Sequence, residues 1–185
     1  MLPLEAQGGA PPPVIPHPPI VPVTNHRAAI ITWANWGVAH HPHFNHTPQI
    51  NYLFTGYYPE HAKPGTLPIS VSCSGFITLM AEWANCPDPN GLHFDGRAYT
   101  GYMLDHCTEI AALDAKPGDL IVYGPGDGDH VVIIVGVGPD GVLVHNHGDF
   151  RIISHGKEGD PIVTANSIEI TGHAPPQRFL RWLPV

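Results

Sequence analysis

The spacing of apolar residues changes once along this chain, near residue 116, and that change constrains the fold more than any other feature. Before it, apolar residues recur at helical spacing. After it, they form short runs typical of strands, such as Leu120-Ile-Val-Tyr123 and His130-Val-Val-Ile-Ile-Val135. Helices followed by strands predict an α+β domain with N-terminal helices packed on a C-terminal antiparallel sheet, because a parallel sheet would need helices between its strands.

Three helices are predicted. Thr24-Asn25 is a suitable cap for a helix over residues 26–38, and Ser72 is a suitable cap for one over residues 73–85. At 100° per residue, Cys73 lies on the apolar stripe of that second helix, at its N-terminus. A weaker pattern predicts a third helix over residues 99–112.

The chain divides into a proline-rich tail, residues 1–23, and one domain, residues 24–185. Residues 39–66 are expected to form a long loop, and loops of this length often line a functional site. No run of 18 apolar residues predicts a membrane span, and the first residues do not have the pattern of a signal peptide.

The charge and the cysteine count narrow the possible partners and compartment. Eight basic residues against 16 acidic ones give a net charge of −8, which would be repelled by phosphate backbones and argues against nucleic acid as a partner. Three cysteines are too few for a disulfide framework. They indicate synthesis in a reducing cytoplasm with at least one free thiol.

The positions of one cysteine and one histidine in the predicted elements suggest a catalytic nucleophile and its general base. A catalytic cysteine needs a lowered pKa, which the N-terminus of a helix favours, and Cys73 has that placement; a buried structural cysteine is the alternative. His130 opens an apolar strand after a Gly/Asp loop, where a side chain is presented to a cleft. Alternation along the strand puts His130 on one face with Val132 and Ile134, and we expect the helix to cover that face.

Such a base also needs a third group that fixes its tautomer. The candidates are His145 and His147 in the following strand, and His155 after Ile152-Ile-Ser154. Spacing alone does not choose among these three histidines.

Several motifs, in order, resemble those of the NlpC-type cell-wall peptidases, which are papain-like enzymes. The three that carry the resemblance are Ser72-Cys-Ser-Gly-Phe76, Lys116-Pro-Gly-Asp-Leu120 and His130-Val-Val-Ile-Ile-Val-Gly136. A closer similarity, to single-domain peptidases in lysins of phages that infect actinobacteria, covers about residues 27–183. It includes Trp33-Ala-Asn-Trp-Gly-Val38, Cys86-Pro-Asp-Pro-Asn-Gly-Leu92, Tyr99-Thr-Gly101 and Ser154-His-Gly-Lys-Glu158.

The resemblance implies that Cys73 is the nucleophile and His130 the base. The Ser-His-Gly match favours His155 as the orienting residue, whereas hairpin geometry favours His145 or His147. The N–H of Cys73 is the natural oxyanion donor. The remaining substrate or oxyanion residues are expected to be Ser74 and a tyrosine upstream of the cysteine, with Tyr52, Tyr57 and Tyr58 as the candidates.

The resemblance also implies a function. The expected activity is that of a phage endolysin-like peptidoglycan endopeptidase, which hydrolyses D-Glu–diaminopimelate or L-Ala–D-Glu in the wall stem peptide through a cysteine thioester. No cofactor or metal ion is implied. Such a protein would be made in the host cytoplasm and act on the wall after release. Where the family usually has Asp before the cysteine, this chain has Ser72, which can still cap the helix, so we expect the fold to survive.

Two other functions compete with this one. A zinc-dependent wall amidase is suggested by a histidine cluster and by the His145/His147 pair, although no recognised ligand spacing is present. The cluster consists of His40, His41, His43 and His46. A non-catalytic virion module that retains the fold is suggested by Ser72, and the proline-rich tail would then be an assembly arm.

Overall fold

The computed structural model describes residues 25–41, 44–46, 62–137, 150–155, 162–165 and 175–184. The predicted tail and the candidate residues Tyr52, Tyr57, Tyr58, His145 and His147 lie outside these ranges. Within them the chain forms, in order, α1 (His26–Ala39), β1 (Phe44–His46), β2 (Ile69–Val71), α2 (Cys73–Trp83), α3 (Thr100–His106), β3 (Thr108–Ile110), β4 (Leu120–Tyr123), β5 (His130–Val137), β6 (Phe150–His155), β7 (Ile162–Ala165) and β8 (Gln177–Arg181).

Six strands form one antiparallel sheet in the order β3-β8-β4-β5-β6-β7, and β1 and β2 form a separate parallel pair. The predicted α+β class, with helices before the sheet, is confirmed. The sheet is not a simple meander, because the last strand, β8, returns to pair with both β3 and β4. None of the helices in the described ranges is long and apolar enough to cross a membrane.

Both predicted helix starts are confirmed by their caps. The Asn25 side chain accepts from the Ala28 N–H at 3.1 Å, and the Ser72 hydroxyl accepts from the Gly75 N–H at 3.0 Å. The third helix is shorter than predicted and ends at His106, since the residues after it form β3 against β8. Strand pairing there overrides a weak helical pattern.

The two faces of the sheet hold different apolar clusters. Helices α1 and α2 belong to the cluster with Val131 and Ile133 of β5, whereas Val132 and Ile134 belong to a second cluster on the opposite face. The expectation that the helix covers the face of Val132 and Ile134 is therefore wrong. The helices cover the face of alternate parity, and the His130 ring lies near that of Tyr123, which belongs to the second cluster.

Three tryptophan side chains pack against one another between α1 and α2. The Trp33 ring lies 5.5 Å from that of Trp36 and 5.3 Å from that of Trp83, measured between centroids. Trp33 is 3% exposed and Trp36 is 8% exposed, so both belong to the core and neither lines an open groove.

A buried carboxylate ties the first helix to the last strand. Asp119 is fully buried and accepts from Arg27 of α1 and Arg181 of β8, each at 2.8 Å, and from the Lys116 N–H at 2.9 Å. The Lys-Pro-Gly-Asp turn thus has a structural role. A buried charge is tolerated because it is paired and hydrogen-bonded on both oxygens.

Replacing Asp119 should destabilise the whole domain. In Asp119→Ala, two guanidinium groups lose their partner at a buried position, so we expect the free energy of unfolding in urea to fall by about 2–4 kcal/mol. Asp95→Ala is the matched control, since it breaks an exposed ion pair with Arg97 and should cost at most about 1 kcal/mol. Equal losses in the two variants would contradict this structural role of Asp119.

Candidate active site

Cys73 is the first residue of α2, and its sulfur meets the sheet at the beginning of β5. The backbone N–H groups of Val131, of Ser74 and of Cys73 itself lie around the sulfur, and each of them lowers its pKa. The residue is half-buried and its thiol is free. The nucleophile predicted from sequence therefore lies beside the residue that follows His130 in the chain.

Desolvation controls the ionisation of this thiol. Burial raises the pKa of Cys73 above its ordinary value, and the three N–H groups oppose that rise without cancelling it. The sequence predicted a lowered pKa from the helix N-terminus alone. That effect is present but smaller than the loss of hydration, so the pKa of Cys73 stays above its ordinary value.

His130 stands where β5 extends beyond its pairing with β6. The register of these two strands runs from Val137–Phe150 to Ile133–Ile153, whereas β5 begins at His130. Because alternate N–H groups of a strand point to opposite neighbours, Val131 can direct its N–H to Cys73 at this open end. His130 is 5% exposed, and its ring centroid lies 6.4 Å from that of Tyr123, its partner in β4.

The candidate site therefore lies at the start of β5, where Cys73 packs against the cluster that contains Val131. Cys73 reaches this end from α2, and His130 is delivered there by β5. A thiol and an imidazole are the groups needed for nucleophilic attack with a general base, and here the two residues that carry them begin the adjoining elements α2 and β5.

Ser72 and Ser74 fix the beginning of α2. The Ser74 hydroxyl donates to the Ala98 carbonyl at 3.0 Å, and the two serine hydroxyls lie 3.2 Å apart. Ser74 is buried, so its hydroxyl serves the protein interior, and its N–H is the group that faces the sulfur. Ser72, which replaces the usual Asp, keeps the capping function.

Sequence reasoning missed a polar network that joins α2 to the loop before His130. Asn90 donates to the Thr78 hydroxyl of α2 at 2.9 Å and accepts from the Tyr99 N–H at 3.1 Å. From there the Thr100 hydroxyl donates to the Gly128 carbonyl at 3.0 Å, and the Tyr99 hydroxyl donates to Asp127 at 3.0 Å. Only the recurrence of Gly, Pro and Asp around these positions hinted that they form tight turns.

Among the other candidate histidines, His155, His40 and His41 have defined backbone or side-chain positions. His155 ends β6, at the same end of the sheet as His130, and its backbone pairs with Ile162 of β7. His40 and His41 each place Nδ1 near a carbonyl of the last turn of α1, at 2.7 and 3.1 Å. Within the described ranges, no three His, Cys, Asp or Glu side chains are grouped so as to hold a metal ion.

Cys86 and Cys107 are both free and buried, and burial raises the pKa of each thiol to about 12. Both residues lie in the core formed around α1 and α2. They are therefore unreactive as nucleophiles near neutral pH.

Comparison with known proteins supports the fold. No family model matches the sequence, and no curated protein matches it. Among solved structures, the NlpC/p60 domain of the peptidoglycan hydrolase SagA is 20% identical, with 84% of this chain and 98% of that one covered and a TM-score of 0.50. A hypothetical invasion protein of Mycobacterium tuberculosis is 18% identical, with 89% and 67% covered and a TM-score of 0.52. The chain thus has the fold of an NlpC/p60 domain.

Removing the imidazole should make Cys73 harder to ionise. In His130→Ala, burial still opposes the thiolate and the proposed proton acceptor is lost, so the apparent pKa for alkylation by iodoacetamide should rise. The alkylation rate at pH 7 should fall about tenfold for each unit of that rise. Mass spectrometry of the modified peptide identifies the sulfur, and buried Cys86 and Cys107 serve as internal controls. An unchanged pH profile would show that His130 does not act on Cys73.

Proposed function

We propose that this protein is a cysteine peptidase that hydrolyses an amide bond in the peptide part of bacterial peptidoglycan. One observation carries the proposal: Cys73, the first residue of α2, packs against the apolar cluster that contains Val131, the residue next to His130. This arrangement occurs in a chain with the fold of NlpC/p60 domains, one of which belongs to a peptidoglycan hydrolase.

In the proposed reaction, His130 takes the proton of the Cys73 thiol as the sulfur attacks the amide carbonyl. The oxyanion that forms is stabilised by the Cys73 N–H, which is already oriented at the helix N-terminus. His130 then protonates the leaving amine, and water hydrolyses the thioester with His130 again acting as base. Burial raises the pKa of Cys73, so the proposed reaction assigns the thiol proton to the imidazole as the sulfur attacks.

The proposed substrate is the stem peptide, cut at D-Glu–diaminopimelate or at L-Ala–D-Glu. The resemblance of the Trp33–Val38 and Ser154–Glu158 motifs to phage lysin peptidases supports a role as an endolysin-like enzyme. Such an enzyme is made in the host cytoplasm and reaches the wall on release. The net charge of −8 agrees with a substrate other than nucleic acid.

Removal of the nucleophile gives the most direct test of the activity. Cys73→Ala should abolish release of muropeptides from purified wall, a loss of at least about 10⁴-fold, while the circular dichroism spectrum stays unchanged. Mass spectrometry of the released fragments from the native protein identifies the bond. Continued release by Cys73→Ala would refute the nucleophile, and activity lost to a chelator and restored by zinc would favour the zinc amidase.

The residue that orients His130 can be found by comparing three substitutions. We expect His155→Ala to lower kcat by about 10²-fold, because loss of the orienting partner leaves the imidazole in the wrong tautomer. His145→Ala and His147→Ala, measured in parallel, should have much smaller effects. A large loss in either of these two instead would transfer the role to that histidine, and equal mild losses in all three would exclude each of them.

A further inference from the structure

The loop that connects β4 to β5, residues 124–129, is held by an arginine from the far end of the chain. Arg178 of β8 donates to the Gly126 carbonyl from one guanidinium nitrogen and to the Gly124 carbonyl from the other, each at 2.7 Å. The Gly124 N–H also donates to the Pro176 carbonyl at 3.0 Å. The start of β8 thus binds the first half of this loop.

The second half of the loop is held from the opposite side, by the start of α3. The Gly128 carbonyl accepts from Thr100, and Asp127 accepts from Tyr99, as described above. An added Cβ at Gly128 would collide with the Val122 side chain and lie 3.2 Å from the Tyr123 carbonyl oxygen, so the loop packs tightly against β4. Three successive alternate carbonyls, those of residues 124, 126 and 128, therefore each have a fixed donor.

This loop ends one residue before His130, so its conformation sets where β5 begins and where the imidazole is placed. The Asp129 N–H donates to the Tyr123 carbonyl at 2.7 Å, which closes the loop onto the strand ladder. A small change in the loop would be passed directly to His130, because no freely rotating segment lies between them.

We propose that Arg178 is a positioning residue for His130, since its guanidinium group fixes the loop carbonyls that fix the start of β5. The inference rests on the proposed roles of Cys73 and His130. Arginine suits the task because its planar fork donates to two acceptors at a set spacing, which a lysine ammonium group does not reproduce.

The remaining polar atom of Arg178 argues against a purely stabilising role. Its Nε is buried and has no hydrogen-bond partner within the described part of the chain. A buried unpaired donor costs stability. The Arg178 side chain therefore keeps the orientation in which it donates to the two loop carbonyls, although the unpaired Nε lowers the stability of the fold.

The test measures alkylation of Cys73 by iodoacetamide as a function of pH, which needs no wall substrate. Arg178→Ala should lower the rate at pH 7 by about tenfold and move the profile towards that of His130→Ala, and Arg178→Lys should lie between Arg178→Ala and the native protein. In a His130→Ala background, Arg178→Ala should have no further effect. On muropeptides, Arg178→Ala should lower kcat and leave KM within about twofold.

Arg181→Ala is the matched control, because it removes an arginine from the same strand and weakens the contact with buried Asp119. It should lower the unfolding midpoint yet leave the alkylation profile unchanged. If Arg181→Ala shifts the profile as much as Arg178→Ala does, the effect of Arg178 is general destabilisation and the proposal fails.

The remaining outcomes separate this proposal from the proposed function. If His130→Ala changes the profile and folded Arg178→Lys and Arg178→Ala do not, only the positioning role is refuted. A further loss from Arg178→Ala in the His130→Ala background would mean that its charge acts on the sulfur directly, which also refutes positioning. If His130→Ala itself has no effect, both the catalytic pair and the positioning role are refuted.

Discussion

The proposed site depends on one contact, in which Cys73 at the N-terminus of α2 packs against the cluster that contains Val131, where β5 extends beyond its pairing with β6. A strand inside a ladder has no N–H to offer, since its neighbours use them. At its start, where it does not pair with β6, β5 has a backbone N–H on Val131, which is the residue next to His130 in the chain. Burial raises the pKa of Cys73, and the N–H groups around the sulfur act in the opposite direction.

A polar network gives this contact a defined geometry. Asn90 joins α2 to Tyr99, and the residues next to Tyr99 bind the loop that leads to His130. Arg178 binds the other half of that loop. The elements that carry Cys73 and His130 are thus connected through buried or half-buried hydrogen bonds as well as through the apolar core, and such bonds fix direction more sharply than apolar packing does.

The features that sequence predicted well are local ones. The caps at Asn25 and Ser72, the start of α2 at Cys73 and the start of β5 at His130 depend on neighbouring residues alone, and each is found as predicted. The face of the sheet covered by the helices was predicted wrongly, because alternation divides a strand into two faces without saying which one is packed. The insertion of β8 and the Arg178 contacts join segments more than 50 residues apart, and no local pattern encodes such pairings.

The central claim is that Cys73 forms a covalent bond with the substrate, with His130 as its base. It is tested most directly by acid-quenching the native protein during turnover of muropeptides and locating any added mass on the digested chain. The account predicts a thioester-linked stem-peptide fragment on the peptide that contains Cys73. Product that accumulates while the only adduct lies on Cys86 or Cys107, or on a residue other than cysteine, would contradict it.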